Sequence, residues 1–351
     1  MRLDLAQDVG ALTARLVDIE SVSGAEEELA DAIEEALRSL GHLRVLRDGN
    51  SVVARTELGR AERVVIAGHI DTVPVAGNLP SRLEGDLLYG CGAADMKSGL
   101  AVQLKLCLLT EPNRDLTFVF YDCEEVEAER NGLLRLTRRH PDWITGDFAV
   151  VMEPTDGEIE GGCQGSLRVE IVVPGARAHS ARSWEGVNAI HAAEPILRIL
   201  NEYEPRRPVV DGLQFREGLN AVGIRGGVAG NVIPDECVVT VNYRFAPDRT
   251  LEEAFGHVKE LFGGFEVRLT DGAPGARPGL DHPAAAAFVA AMGGTPRAKL
   301  GWTDVARFSM LGMPAVNCGP GDPNLAHTVG EHVSLAKIAD CERRMLAWLT
   351  S

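Results

Sequence analysis

The stretch "VVIAGHIDTVPV", Val64–Val75, decides how this chain is read. Val64, Val65, Ile66, Ala67 and then Gly68 form an unbroken apolar run, the pattern of a strand buried on both faces. The run ends in His69-Ile70-Asp71. Residues two apart in an extended chain point the same way, so His69 and Asp71 would reach into one space. Taken alone, the pair also fits a surface histidine beside a turn aspartate. The rest of the chain has to decide between the two.

Working outward, the first 165 or so residues alternate between two textures. Residues 7–20 and 25–40 have helical periodicity, and "SVVART", "RVVIAGHID", "DLTFVFYDCEE" and "DFAVVMEP" read as strands. The amphipathic "MKSGLAVQLKLCLLTE" lies between two of them. Alternation of this kind predicts a mixed, mainly parallel α/β sheet flanked by helices. Ligand sites in such sheets gather at the carboxyl ends of strands. Three of these strands end in His69, Glu124–Glu125 and Glu153.

From about Leu167 the order is strand, helix "EGVNAIHAAEPILRILNEY", strands "LNAVGIRGGVAGN" and "CVVTVNYRFAPD", helix "TLEEAFGHVKELF" and strand "GFEVRLTDG". That β-α-β-β-α-β order predicts an inserted ferredoxin-like unit. The Gly/Pro-rich "DGAPGARPGLDHP" suits a linker. The expected division is a catalytic domain over 1–166 and 276–351, interrupted by a second domain over 167–275.

Bulk properties narrow the function. At 351 residues, two domains are the prior expectation. A net charge of −16 argues against nucleic acid or an anionic membrane as partner. No stretch approaches the roughly 20 apolar residues of a membrane span. The N-terminal "MRLDLAQDVGALTARLVDIESVSG" carries acidic residues and helical spacing, unlike a signal peptide. Seven scattered cysteines without a C-x-x-C pair fit a reducing compartment. The expectation is a cytoplasmic protein.

Four further segments carry chemistry. In "LLYGCGAADMKSG", Asp95 precedes a helix and fits either an N-cap or a ligand. "FYDCEEVEAERNG" places Asp122, Glu124, Glu125 and Glu127 after an apolar strand. "VVMEPT" ends a buried strand in Glu153, and "PNLAHTVGEH" sets His327 in a polar loop. Two imidazoles with several carboxylates, at strand ends and in loops, match what two zinc ions roughly 3.5–4 Å apart require. A hydrolase needs one more carboxylate to take a proton from water. Asp71 is placed to accept the N–H of His69 and fix its tautomer.

In order and spacing, "GHIDTVP", "GCGAADMKSG", "DCEE", "EPT" and "AH" resemble the dizinc aminoacylase/carboxypeptidase metallohydrolase family, over essentially the whole chain. The resemblance implies one Zn2+ on His69, Asp95 and Glu153, and a second on Glu125 and His327 with Asp95 bridging. Co2+ and Mn2+ accept the same ligands. It implies Glu124 as general base, Asp71 behind His69, and His179 of "GARAHSARS" as oxyanion donor from a lid that can form a homodimer. Asn231, Arg244, Thr303 and Arg307 match substrate-facing positions, and Arg177 and Arg182 are further sources of positive charge.

Within the family, "DTVPVAGNLPSR", "ARAHSARSW" and "WTDVARF" look most like the actinobacterial succinyl-diaminopimelate desuccinylases. That likeness implies hydrolysis of N-succinyl-LL-2,6-diaminopimelate, a small amide with several carboxylates, toward lysine and cell-wall peptide. "WTDVARF" departs from the better-known proteobacterial desuccinylases, which carry a Ser-Asp-Gly-like run there. The alternatives are another deacylase or dipeptidase of the family, such as acetylornithine deacetylase, and a metal-stabilised binding protein without catalysis.

Overall fold

A computed structural model describes residues 3–351. The described residues divide into two compact units, one of residues 3–162, 278–297 and 303–351, the other of 163–277 and 298–302. The sequence set the junctions at 166/167 and 275/276 and did not single out 298–302.

The first unit is built on a mixed sheet. Side by side run Arg44–Asp48, Ser51–Arg55, Asp115–Tyr121, Arg63–His69, Phe148–Val151, Ala315–Asn317 and Glu160–Gly161. Asp115–Tyr121, Arg63–His69, Phe148–Val151 and Ala315–Asn317 are parallel, and the flanking pairs are antiparallel. The apolar run at Val64 is therefore the middle of the parallel set, buried on both faces as its composition predicts. Val64, Ile66, Phe118, Phe120, Phe148 and Val150 pack in one cluster with Leu12, Leu16, Leu100, Phe288 and Trp348. These last come from the helices Val9–Val17, Ser98–Leu106, Pro283–Met292 and Leu335–Thr350. The helix Val305–Met310 packs on Phe148–Val151 and Ala315–Asn317.

The second unit is an antiparallel sheet in the order Gly218–Gly226, Glu236–Phe245, Gly165–Pro174, Glu266–Ala273. Alternate residues Leu167, Val169, Ile171, Val239, Val241 and Tyr243 are buried against Ile196, Ala254 and Val258 of the helices Glu194–Glu202 and Leu251–Leu261. This is the ferredoxin-like order. A capping box of Thr250 and Glu253 starts the second helix.

Two local expectations are corrected. The helix predicted over 185–203 is α-helical only at Glu194–Glu202. Pro195 suits the first turn of that helix, while Asn188 Oδ1 accepts from the N–H groups of Ile190 and His191 and turns the chain before it. The strand Arg44–Asp48 was not foreseen, because an outer strand with mixed exposure lacks a clean alternation.

Candidate functional site

The three neighbouring parallel strands set the site before any side chain is considered. His69 ends its strand level with Tyr121, after which the chain runs into Glu124 and Glu125. On the other side Ala67 is level with Val151, so the chain two residues on carries Glu153. The fourth contributor is a tight irregular turn at Ala93–Lys97, ahead of the helix Ser98–Leu106. Gly99 lets this helix approach, since a Cβ there would lie 2.4 Å from the Met152 carbonyl oxygen. Asp95 does not cap the helix; Lys97 holds that position. The capping alternative for Asp95 therefore does not apply.

The side chains converge. The ring of His69 is buried, with Nε2 3.1 Å from Asp95 Oδ1. His327 Nε2 lies 3.5 Å from Asp95 Oδ2 and 2.7 Å from Glu125 Oε1. Asp95 thus offers one oxygen to each histidine. Among the described residues, three sets have ligand atoms within 4.8 Å of one another: His69 with Asp95 and Glu153, Asp95 with Glu125 and His327, and His69 with Glu124 and Glu125. His327 and Cys123, which precedes Glu124, adopt φ of 61° and 56°. Side-chain-bearing residues take that left-handed conformation at a cost of about 1–2 kcal/mol, and it is concentrated at functional sites.

Electrostatics point the same way. Burial opposes a charge on His69, yet the carboxylates of Asp71 and Asp95 outweigh it and hold the imidazole well above its ordinary range. Hydrogen bonds to Asp95 and Glu125 raise His327 to about 10. Burial pushes the Asp95 carboxyl up, but the two histidines prevail and hold it below its usual range. Glu124 goes the other way: burial, with Asp304, Glu153 and Glu125 nearby, drives it well above an ordinary glutamate against the pull of His69. Carboxylates that draw both imidazoles toward their cationic forms are a donor set suited to positive charge at its centre. The residues present fit a divalent metal pair.

Asp71 makes contacts beyond the one with His69. The nearest acceptor for His69 Nδ1 is the Asp71 backbone oxygen at 3.0 Å, with carboxylate Oδ1 at 3.5 Å. The carboxylate itself accepts the backbone N–H groups of Glu124 and Glu125 and the hydroxyl of Ser23. Two further residues escaped the sequence reading. Glu26 accepts from the N–H groups of Gly24 and Cys123, and Glu331 from those of Gly92, Ala94 and Asp95. Both are buried carboxylates that hold loops carrying candidate ligands, and no local pattern marks them.

The candidate substrate residues are divided. In the first unit Thr303 is buried, its hydroxyl donating to Asn317 Oδ1 at 2.8 Å. Arg307 is buried with Nε 3.3 Å from Asp304 Oδ1. Arg177, His179, Arg182, Asn231 and Arg244 belong to the second unit. There His179 forms a bridge with Val232, and the Asn231 carbonyl accepts the N–H of Ser180 at 2.9 Å, so His179 and Asn231 sit together. Arg177 donates to Asp235 at 2.7 Å, Arg182 is exposed, and Arg244 lies on the outer face of the sheet beside Arg168.

The profile of peptidase family M20/M25/M40 matches residues 65–351. The chain belongs to this family. It is 57% identical over 351 residues to a Mycobacterium tuberculosis protein provisionally named succinyl-diaminopimelate desuccinylase, covering 98% of this chain and 99% of the relative. A Corynebacterium glutamicum protein named succinyl-diaminopimelate desuccinylase is 50% identical over 350 residues, covering 96% and 95%. Among solved M20 structures, a dinuclear metal-binding peptidase from Bacillus subtilis superposes with a TM-score of 0.72 at 19% identity, covering 97% of this chain and 96% of that one. At that identity the likeness establishes the fold.

Proposed function

We propose that this M20 hydrolase cleaves the amide bond of N-succinyl-LL-2,6-diaminopimelate, giving succinate and LL-2,6-diaminopimelate. The identity of 57% over nearly the full length to a relative of that provisional name carries the reading. The set of His69, Asp95, Glu153, Glu125 and His327 supports a two-metal site with Asp95 shared, and we assign two zinc ions to it. Bound there, divalent cations supply Lewis acidity, withdrawing electron density from a carbonyl and making water easier to deprotonate.

The chain's own groups supply the rest. Glu124, a half-buried carboxyl of raised proton affinity, takes a proton from the attacking water. The water oxygen adds to the amide carbon. Glu124 then delivers its proton to the departing nitrogen as the C–N bond breaks. His179 Nδ1 accepts the N–H of Ala181 at 3.0 Å, so the neutral ring carries its proton on Nε2. That outward donor suits a developing oxyanion. Arg168 and Arg244 lie together with Asp271 beside them, and two neighbouring guanidinium groups suit a substrate rich in carboxylates.

Two further readings belong to the proposal. The outer strand Gly218–Gly226 exposes Val222 and Ile224, and Trp184, Val187 and Val228 of the same unit are also exposed. An unpaired apolar edge of this kind favours a homodimer through the second unit, here given the role of a lid. No helix among the described residues is long and apolar enough to cross a membrane, and no disulfide forms among them. We assign the protein to the cytoplasm.

Initial rates on metal-free and zinc-reconstituted protein, with N-succinyl-LL-diaminopimelate beside N-acetylornithine, test the reading. Zinc-dependent turnover of the succinyl substrate by a wide margin is the expected result. Preference for the acetyl substrate would keep the metal site and replace the substrate.

A further inference from the structure

Glu331 stands four residues beyond His327 in the same loop, and its carboxylate is buried. The neighbouring His332 pairs with Tyr89, and the Glu331 carbonyl accepts the N–H of Gly90 at 3.1 Å. These contacts bring the side chain against the turn that follows. Its Oε2 accepts the N–H of Gly92 at 3.0 Å, and Oε1 accepts those of Ala94 and Asp95, both at 2.9 Å. Three backbone donors therefore meet one carboxyl group, which fixes the turn at three points.

The consequence lies in what the turn carries. Asp95 aims Oδ1 at His69 and Oδ2 at His327, so a small rotation of the turn would misdirect both oxygens at once. Asp95 cannot rely on helical geometry for its direction, because its φ of −122° and ψ of 96° lie outside the helix. A purely local loop would leave the turn and His327 to move independently. Instead the segment that supplies His327 also grips the backbone of Asp95.

We propose that Glu331 is a positioning residue that locks the Asp95 turn to the His327 loop, so that both histidine–carboxylate groups assemble together. This rests on the two-metal reading above. Glu331 touches neither substrate nor reacting atoms; it acts through Asp95. Its role parallels that of Asp71, whose carboxylate gathers the N–H groups of Glu124 and Glu125.

The test is a zinc titration of the metal-free full chain against a chromogenic chelator, for wild type, Glu331→Gln and Glu331→Leu. Far-UV circular dichroism and thermal midpoints of the metal-free proteins are recorded alongside. Glutamine retains an oxygen for Ala94 and Asp95 but turns an amide N–H toward Gly92; leucine retains no acceptor. The expected result is native secondary structure in both, with the weaker zinc step about 10-fold looser in the glutamine variant and about 100-fold looser in the leucine variant. Excess zinc should partly restore kcat/KM.

A folded leucine variant with wild-type zinc affinity overturns the proposal, even if its melting point has fallen. If leucine prevents folding, the glutamine variant decides: wild-type affinity there overturns the proposal equally. Wild-type protein that binds no zinc overturns the two-metal reading itself, an outcome distinct from two ions bound equally by all three proteins.

Discussion

Asp71 Oδ1 accepts the backbone N–H of Glu124 at 2.9 Å, across a sequence separation of 53 residues. Oδ2 takes the N–H of Glu125 at 3.1 Å and the hydroxyl of Ser23 at 2.7 Å. The two peptide N–H groups that present the proposed base and a proposed metal ligand are thus oriented by one buried carboxylate. Burial would raise that carboxyl, but His69, Ser23 and the N–H of Glu124 hold it below its ordinary range. Asp71→Asn supplies one oxygen where two are needed and turns an N–H toward a second donor. The expected outcome is a folded protein with kcat/KM reduced about 10–100-fold and zinc affinity lowered with it. Steady-state kinetics beside a zinc titration check this, and wild-type values in both would remove the role.

Glu124 differs from its neighbours in not being needed to complete the two sets that share Asp95. Glu124→Gln keeps the size of the side chain and removes its ability to carry a proton. Two zinc ions should stay bound and KM should change little. kcat should fall by about 10²–10⁴, the usual worth of a positioned acid–base group. Metal analysis of the same preparation used for kinetics separates this outcome from simple loss of metal.

Much of this arrangement is legible in the chain because parallel sheets deliver residues to one edge. The run Val64–Ala67 announces a strand buried on both faces, and His69, Glu124 and Glu153 each follow such a run. What stays hidden depends on contacts between distant segments. Glu331 meets Asp95 across 236 residues, and a buried carboxylate has no periodic signature. The sequence places Thr303 toward substrate without showing that its hydroxyl donates to Asn317, because a threonine in a loop does not declare its partner. The helix predicted over 185–203 failed locally: its apolar spacing continues across Asn188, while the side chain of Asn188 caps a turn instead.

His179 is exposed, and its ring Nδ1 accepts the neighbouring backbone N–H of Ala181. His179→Ala should therefore leave the thermal midpoint and zinc content near wild type. If Nε2–H donates to the oxyanion, kcat should fall about 10²–10³-fold with a smaller change in KM. An unchanged kcat on the succinyl substrate would remove His179 from the reaction.

Asp115 offers a stability test at the other end of the strand that leads to Glu124. Its Oδ1 accepts from Thr56 Oγ1 at 2.7 Å and Leu58 N–H at 2.8 Å, and Oδ2 accepts from Arg60 N–H at 2.9 Å. Burial raises the carboxyl, but these bonds and Arg63 outweigh it and leave it below the ordinary aspartate value. A folded-state value below the unfolded value means the stabilisation is present above the unfolded pKa of about 3.9 and is lost as pH falls through the folded one. Asp115→Asn replaces one acceptor oxygen with a donor and should lower stability at pH 7 by about 1–3 kcal/mol. Zinc binding and kcat should be unaffected. Urea unfolding of both proteins at successively lower pH should show the gap narrowing below pH of about 4, as wild type loses its anionic acceptor and the variant has none to lose. A gap that stays constant through that range would mean that Asp115 is not the source of the acid sensitivity.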